Sequence, residues 1–405
     1  MINSGDTAFM LVSTMLVMFM TPGLGLFYGG LVRSKNVLSI ILQCFISLGI
    51  VSIIWVFYGY SLAFGPDIHG FIGNFDWAFL NGVGFSPGPY SDSIPHILFC
   101  AFQLMFAIIT PALITGAYAE RMKFSAFIIF TVLWTTFVYF PVCHWVWGGG
   151  WLGKLGALDF AGGTVIHINS GAAALVVAFM IGKRKGWGKD AIMPHNLTMT
   201  LLGTGILWFG WFGFNAGSSL SAGGLASMAL ITTQLSAGAA AVSWIMVEWI
   251  YHGKPTTLGA ASGALAGLVA ITPAAGFVGP VSAISIGLVA GIICCLAMSL
   301  KSKFGYDDAL DVVAVHGIGG VWGAFATGLF ASKAINPAGA DGLFYGNPKL
   351  VLIQAIGIAA AITYSVIVTI VIVKIINYIV GLRVTEEEEI QGLDVNLHNE
   401  VGYTM

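Results

Sequence analysis

Apolar stretches long enough for about 20 helical residues run along the whole chain, at residues 7–32, 38–65, 96–118, 124–147, 161–182, 195–214, 224–250, 257–275, 280–300, 311–332 and 350–379. Short polar segments part them, and no linker or low-complexity segment precedes the tail. The pattern predicts an all-α polytopic membrane protein with eleven transmembrane helices.

The basic residues test this reading independently. With the N-terminus outside, the cytoplasmic segments hold Arg33, Lys35, Arg121, Lys123, Lys183, Arg184, Lys185, Lys189, Lys254, Lys301, Lys303, Lys374 and Arg383. The opposite side holds Lys154, Lys333 and Lys349, so thirteen and three make up the sixteen Lys and Arg. The bias follows the positive-inside rule, and an odd number of spans puts the C-terminus inside. Composition agrees: 57% of residues are hydrophobic and 8% charged, with mean hydropathy +0.90, against about a quarter charged in soluble chains. A net charge of −2 excludes a nucleic-acid binder held by a basic surface. The five cysteines, Cys44, Cys100, Cys143, Cys294 and Cys295, lack metal or CxxC spacing and read as small core residues. The N-terminus has no basic segment before its apolar run, so the run is expected to stay as a helix rather than be cleaved.

Two five-helix units in tandem must sit in the membrane in opposite orientations, and the sequence hints at such a repeat. Asp159 precedes His167 by eight residues, Asp308 precedes His316 by the same eight, and glycines follow four residues on at 171 and 320. The halves fall at about residues 1–185 and 190–335, with the eleventh helix at 350–379 outside the repeat. An inverted repeat places its shared site near the bilayer midplane, where the two histidines would face each other. The 54 glycines are about twice the usual share. Small-xxx-small pairs at Gly263/Gly267 and Gly287/Gly291 predict close helix packing.

Candidate chemistry is sparse. Asp159, His167 and His316 are ionisable groups in or beside apolar spans, where burying an unpartnered charge costs several kcal/mol or more. Asp159 suits both a cap for the fifth span and a field that attracts a cation. Aromatic residues gather at one depth on the outer side: Phe102 and Phe106 with Gln103, Trp147 before three glycines, then Trp211, Phe212, Phe214 and Ser218. An interfacial aromatic belt accounts for any single ring; ring faces beside a hydroxyl also bind a small cation. No nucleophile–base motif, metal-ligand spacing or phosphate loop stands out, so neither an enzyme nor a cofactor is expected.

The stretch Asp159 to Arg184, Gly210-Trp-Phe-Gly-Phe-Asn-Ala-Gly-Ser218 and the run from Leu258 to Gly276 resemble the ammonium transporter family (Amt/MEP, related to Rhesus proteins), over nearly the whole chain. Trp147 favours the Amt branch. The resemblance implies a homotrimer with one pore per subunit. Carried over by position, it makes Trp147, Phe106 and Ser218 an outer NH4+ site with Asp159 the acid beside it. It makes Phe106 and Phe214 a gate, and His167, His316 and Thr272 the pore lining. The tail, residues 381–405, is similar to a cytoplasmic regulatory segment that docks PII-type proteins; Asn399 stands where the family commonly has glycine and is expected to keep the turn.

A charged ammonium-sized ion costs on the order of 20 kcal/mol to move into low dielectric by an idealised estimate. The expected mechanism is therefore deprotonation near the outer gate, passage of NH3, relay of the proton by the histidines and reprotonation inside, with methylammonium as an analogue. The rival readings are a passive ammonia channel and an ammonium sensor acting through a bound PII protein. Only about 25 residues follow the last span, which counts against an appended signalling domain. The Asn196-Leu197-Thr198 sequon falls on the cytoplasmic side and is expected to be unused.

Overall fold

The computed structural model describes residues 1–403. Helices follow the apolar runs: α1 Ser4–Leu31, α2 Ser34–Phe64, α3 His96–Tyr118, α4 Phe124–Leu155, α5 Gly163–Ile181, α6 Leu197–Gly217, α7 Gly224–His252, α8 Thr257–Ile271, α9 Pro280–Phe304, α10 Val313–Phe330 and α11 Lys349–Ile379. All but α8 are long and apolar enough to cross a membrane, ten in number among the described residues. The expected eighth span, 257–275, is corrected to a helix of 15 residues. Pro273 brings no N–H to continue the ladder, and the chain leaves α8 in turns, with Ala274 N–H donating to Ile271 O at 2.8 Å and Phe277 N–H to Ala274 O at 2.7 Å. Capping is local and legible: the side-chain oxygens of Asn3, Asn196 and Thr256 accept from the N–H groups of Asp6, Met199 and Gly259 at 3.0, 2.9 and 2.8 Å. Between α2 and α3 lie two small antiparallel pairs, β1 Asp67–Ile68 with β2 Ile72–Gly73 and β3 Pro87–Gly88 with β4 Ser91–Pro95.

Small residues set the helix spacing, as expected. A Cβ on Gly263 would stand 2.6 Å from Trp244 Cβ, and one on Gly267 2.7 Å from Ala240 Cβ, so α8 lies directly on α7. The five cysteines are free and buried. The decisive approach is between α5 and α10, where the Cβ of an alanine at Gly171 would fall on Gly317 backbone. Both helices begin alike. Asp159 caps α5, and Asp308 Oδ2 accepts from Val313 N–H at 2.7 Å at the start of α10. Each opens with a single π-helical turn, Gly163–Ile168 and Val313–Ile318, and each turn holds its histidine.

At the end of the bundle where the tail lies, buried charges knot the interhelical segments together. Asp307 takes Arg184 Nη2 at 2.9 Å and Arg121 Nη1 at 3.7 Å, and Glu120 takes Arg33 Nη2 at 2.7 Å and Arg184 Nη1 at 3.5 Å. Burial alone would raise both carboxyl groups, but the guanidinium partners outweigh it: Arg184 holds Asp307, and Arg33 holds Glu120, below the usual carboxylate range. The tail is docked on this end. Its helices α12 Glu386–Gln391 and α13 Leu393–His398 stop at Asn399 in the left-handed region, φ 54°, so the turn expected there is kept. Asp394 accepts from the N–H groups of Leu38 and Ser39 at 3.0 and 2.8 Å. Glu389 accepts from Lys185 N–H at 2.6 Å and from Arg383 at 2.7 Å. Thr404 and Met405, part of the expected tail, lie outside the described residues.

Two outcomes follow for the purified protein in detergent. Gly171→Ala should destabilise by about 1–3 kcal/mol through overpacking, whereas Gly317→Ala, whose Cβ meets nothing closer than 3.5 Å, should stay near the parent; equal thermal midpoints would contradict the crossing. Asp307→Asn should cost about 3–5 kcal/mol by leaving guanidinium groups buried and unpaired. Because Asp307 and Glu120 titrate below their unfolded values, their contribution is complete above about pH 4 and is lost as pH falls through the depressed values. The thermal midpoint of the parent, but much less that of Asp307→Asn, should drop there.

Candidate functional site

Three chambers lie in line through the bundle. The first, about 270 Å³, is walled by Trp147, Phe106, Gln103, Tyr90, Phe160 and Ser218. Trp147 follows the last helical turn before the break in α4, and its indole Nε1–H donates to Asp159 O at 2.8 Å. That bond fixes the plane of the ring. Ser218, at the end of α6, donates to Phe214 O at 2.8 Å, which leaves its oxygen lone pairs as acceptors. Gln103 Oε1 is buried without a protein partner. Ring faces, a hydroxyl oxygen and an unmatched amide oxygen thus surround one small volume, a donor set suited to a small N–H-bearing cation.

Phe106 and Phe214 close the floor of this chamber, ring centroids 4.4 Å apart and tilted by 43°. Beneath them lies a narrow lumen of about 20 Å³ lined by Leu24, Phe27, Leu207, Trp211, His167 and His316. Its walls are apolar except for the imidazoles. His167 stacks on Trp211 at 5.5 Å between centroids and on His316 at 5.2 Å. The Nδ1 atoms of the two histidines are 3.1 Å apart, so one donates its proton and the other accepts it. In the neutral pair this fixes opposite characters on the far nitrogens: one Nε2 accepts and the other donates. His167 Nε2 has no protein partner. A proton taken up at the accepting Nε2 can cross the shared bond and leave from the other Nε2. His316 also faces the third chamber, about 90 Å³, bordered by Glu248, Thr256, Ser262 and Asp311.

The structure brings Trp147, Phe106, Phe214, Ser218, His167 and His316 onto this line. Two expected members stand off it. Asp159 is buried, and its carboxylate accepts from Gly162, Gly163, Thr164 and Val165 N–H at 2.8, 2.7, 2.8 and 3.1 Å; it reaches the first chamber through its carbonyl on Trp147. Thr272, expected to line the pore, stands beside Trp211. It accepts the indole Nε1–H at 2.9 Å and donates to Leu268 O at 2.7 Å, and it forms no wall of the three chambers. Sequence reasoning passed over Glu248, an acid within the 224–250 run, although the argument applied to Asp159 covers it equally. Its carboxylate accepts from Thr256 N–H at 2.9 Å and from Trp244 Nε1–H at 3.3 Å.

Residues 8–403 match the Ammonium Transporter Family. The chain is 58% identical over 400 residues to the ammonium transporter of Bacillus subtilis (strain 168), covering 98% of each chain. It is 51% identical over 402 residues to ammonium transporter Amt1 of Archaeoglobus fulgidus, covering 99% of this chain and 100% of that one. Among solved structures, Mep2 of Candida albicans superposes with TM-score 0.90 at 37% identity, over 96% of this chain and 88% of that chain. A structure named Sensor Amt Protein superposes with TM-score 0.89 at 32% identity, over 97% and 98%. With a family match over nearly its whole length and close relatives of the same description, this multi-pass helical membrane protein belongs to the Ammonium Transporter Family.

Proposed function

We propose that the protein takes up ammonium across the cell membrane as NH3 and a separately relayed proton. The observation that carries this reading is the line from the Trp147 chamber, past the Phe106/Phe214 rings, to the bonded histidine pair in an otherwise apolar lumen. All eleven helices cross the bilayer, with α8 continued by the turns after it. The N-terminus lies outside, a reading supported by the thirteen-to-three distribution of Lys and Arg. The subunits form a homotrimer with one pore each, and α1–α5 and α6–α10 form the inverted repeat, a reading supported by the matched starts of α5 and α10.

NH4+ exchanges water for the Trp147 and Phe106 ring faces and the Ser218 oxygen. Asp159 acts at a distance: its charge is compensated by the N-terminus of α5, and its backbone carbonyl holds Trp147 in place. The ion stops at the rings, because the lumen offers no charge-balancing group against a desolvation cost of on the order of 20 kcal/mol by an idealised estimate. NH3 avoids most of that cost. Potassium, with no proton to give up, is excluded. The proton follows the histidine bond, and Thr272 serves the pore by anchoring Trp211.

The docked tail supports regulation by a PII-family protein at the cytoplasmic face. Asp394 caps the start of α2 and Glu389 holds the segment that follows α5, so a partner that moves the tail acts on the helix carrying His167. Similarity to Sensor Amt Protein favours one second reading, ammonium sensing through such a bound protein.

In proteoliposomes an ammonium pulse should give a saturable inward current and a potassium pulse none; internal alkalinisation without current would mean a neutral ammonia channel. Asp159→Ala, which strips four backbone N–H groups of their acceptor, should abolish that current, and a current near the parent's would remove Asp159 from the mechanism. Replacing His167 or His316 by an acid should admit potassium, measured as current in ammonium-free buffer; strict exclusion of potassium would argue against the histidines as selectivity elements.

A further inference from the structure

His144 lies three residues before Trp147, and its ring is fully buried. Both ring nitrogens face acceptors: Nδ1 is 3.0 Å from Ala63 O at the end of α2, and Nε2 is 2.9 Å from Asp67 Oδ1 on β1. The ring is thus held at both of its nitrogens, between the carbonyl and the carboxylate. Asp67 is well provided with donors. Its Oδ2 takes Lys154 Nζ at 2.6 Å and its Oδ1 takes Gly70 N–H at 2.7 Å. Partial burial would raise this carboxyl, but the Lys154, His144 and Gly70 hydrogen bonds hold it at about 2.

The turn that presents Trp147 folds back on the same histidine. His144 O accepts from Gly148 and Gly150 N–H at 3.0 and 2.9 Å. A Cβ on Gly148 would lie 2.5 Å from His144 Nδ1. On the other side of the turn, Trp151 N–H donates to Gly70 O at 2.9 Å, which ties it to the same hairpin that carries Asp67. The Trp147 ring is therefore fixed twice, by its indole bond to Asp159 O and by the backbone that His144 and the β1–β2 hairpin hold.

We infer that His144, clamped between Ala63 O and the Asp67 carboxylate, is a positioning residue for the outer ammonium site, acting through Trp147. The inference rests on the reading of Trp147 as that site. It assigns the β1–β2 hairpin a part in substrate affinity that none of its residues has by contact.

The clamp is tested from its partly exposed partner, since removing a buried histidine threatens the fold. Ammonium-evoked currents in proteoliposomes give the half-saturating concentration and the maximal current for the parent and for Asp67→Ala, Asp67→Asn, Trp147→Ala and the double variant Trp147→Ala/Asp67→Ala. Asp67→Ala should raise the half-saturating concentration about tenfold, the worth of one charge-assisted hydrogen bond, with the maximal current near the parent's. Asp67→Asn keeps an oxygen acceptor for His144 and should restore most of the affinity. In the double variant the Asp67 effect should vanish, because its target is gone. An unchanged half-saturation in Asp67→Ala beside a raised one in Trp147→Ala overturns the clamp alone. Asp67→Asn as weak as Asp67→Ala, or additive effects in the double variant, would mean that the Asp67 charge acts on the ion directly, which also overturns it. Trp147→Ala with parent affinity removes the outer-site reading itself, and the clamp with it.

Discussion

The hydrogen bond between His167 Nδ1 and His316 Nδ1, 3.1 Å long, is the constraint around which the bundle is arranged. Two imidazoles approach this closely inside an apolar lumen only if the helices carrying them touch, and they touch where Gly171 meets Gly317. The carboxylates of Asp159 and Asp308 begin those helices, and the π-helical turns place a histidine on the lumen side of each. A single shared proton then makes the two far nitrogens chemically different. The pair offers an acceptor and a donor along a path that is otherwise hydrocarbon.

Around that core the charges are sorted by cost. Among the described residues no carboxylate, ammonium or guanidinium lines the lumen. At the tail end the Arg33, Glu120, Arg121, Arg184 and Asp307 knot is buried but closed on itself, so each guanidinium has a carboxylate and each carboxylate a guanidinium. The tail enters this region by two carboxylates, Asp394 and Glu389, each accepting from backbone N–H groups at a helix or loop start. At the opposite end Asp67 plays the comparable part, joining His144 and Lys154.

Much of this was legible in the sequence because membrane solvation leaves few options. Runs of apolar residues gave the helices within a few residues, and the paired Asp-to-His spacing pointed to histidines that face each other. Asp159 was readable as a cap, and Asn399 as a left-handed stop. The shortness of α8 was harder to see, because its 257–275 run is apolar throughout and only Pro273 marks the change from helix to turn. Thr272 was given as pore lining by the family resemblance alone; which way its hydroxyl points depends on Trp211, a contact 61 residues away in sequence. His144 lay hidden for the same reason, since its two acceptors come from α2 and the hairpin that follows it. The resemblance to a known family supplied roles for residues, while distances and hydrogen-bond partners had to come from the fold.

On the proposed mechanism, a proton and an ammonia molecule pass by different routes for each ammonium carried. The most direct measurement is uptake of radiolabelled methylammonium into proteoliposomes with the membrane potential clamped by a potassium gradient and ionophore, recorded together with the charge that enters. The account predicts uptake that grows as the interior is made negative, with about one charge entering per molecule taken up. Uptake that follows only the gradient of the neutral amine, unaffected by potential and without charge, would contradict it.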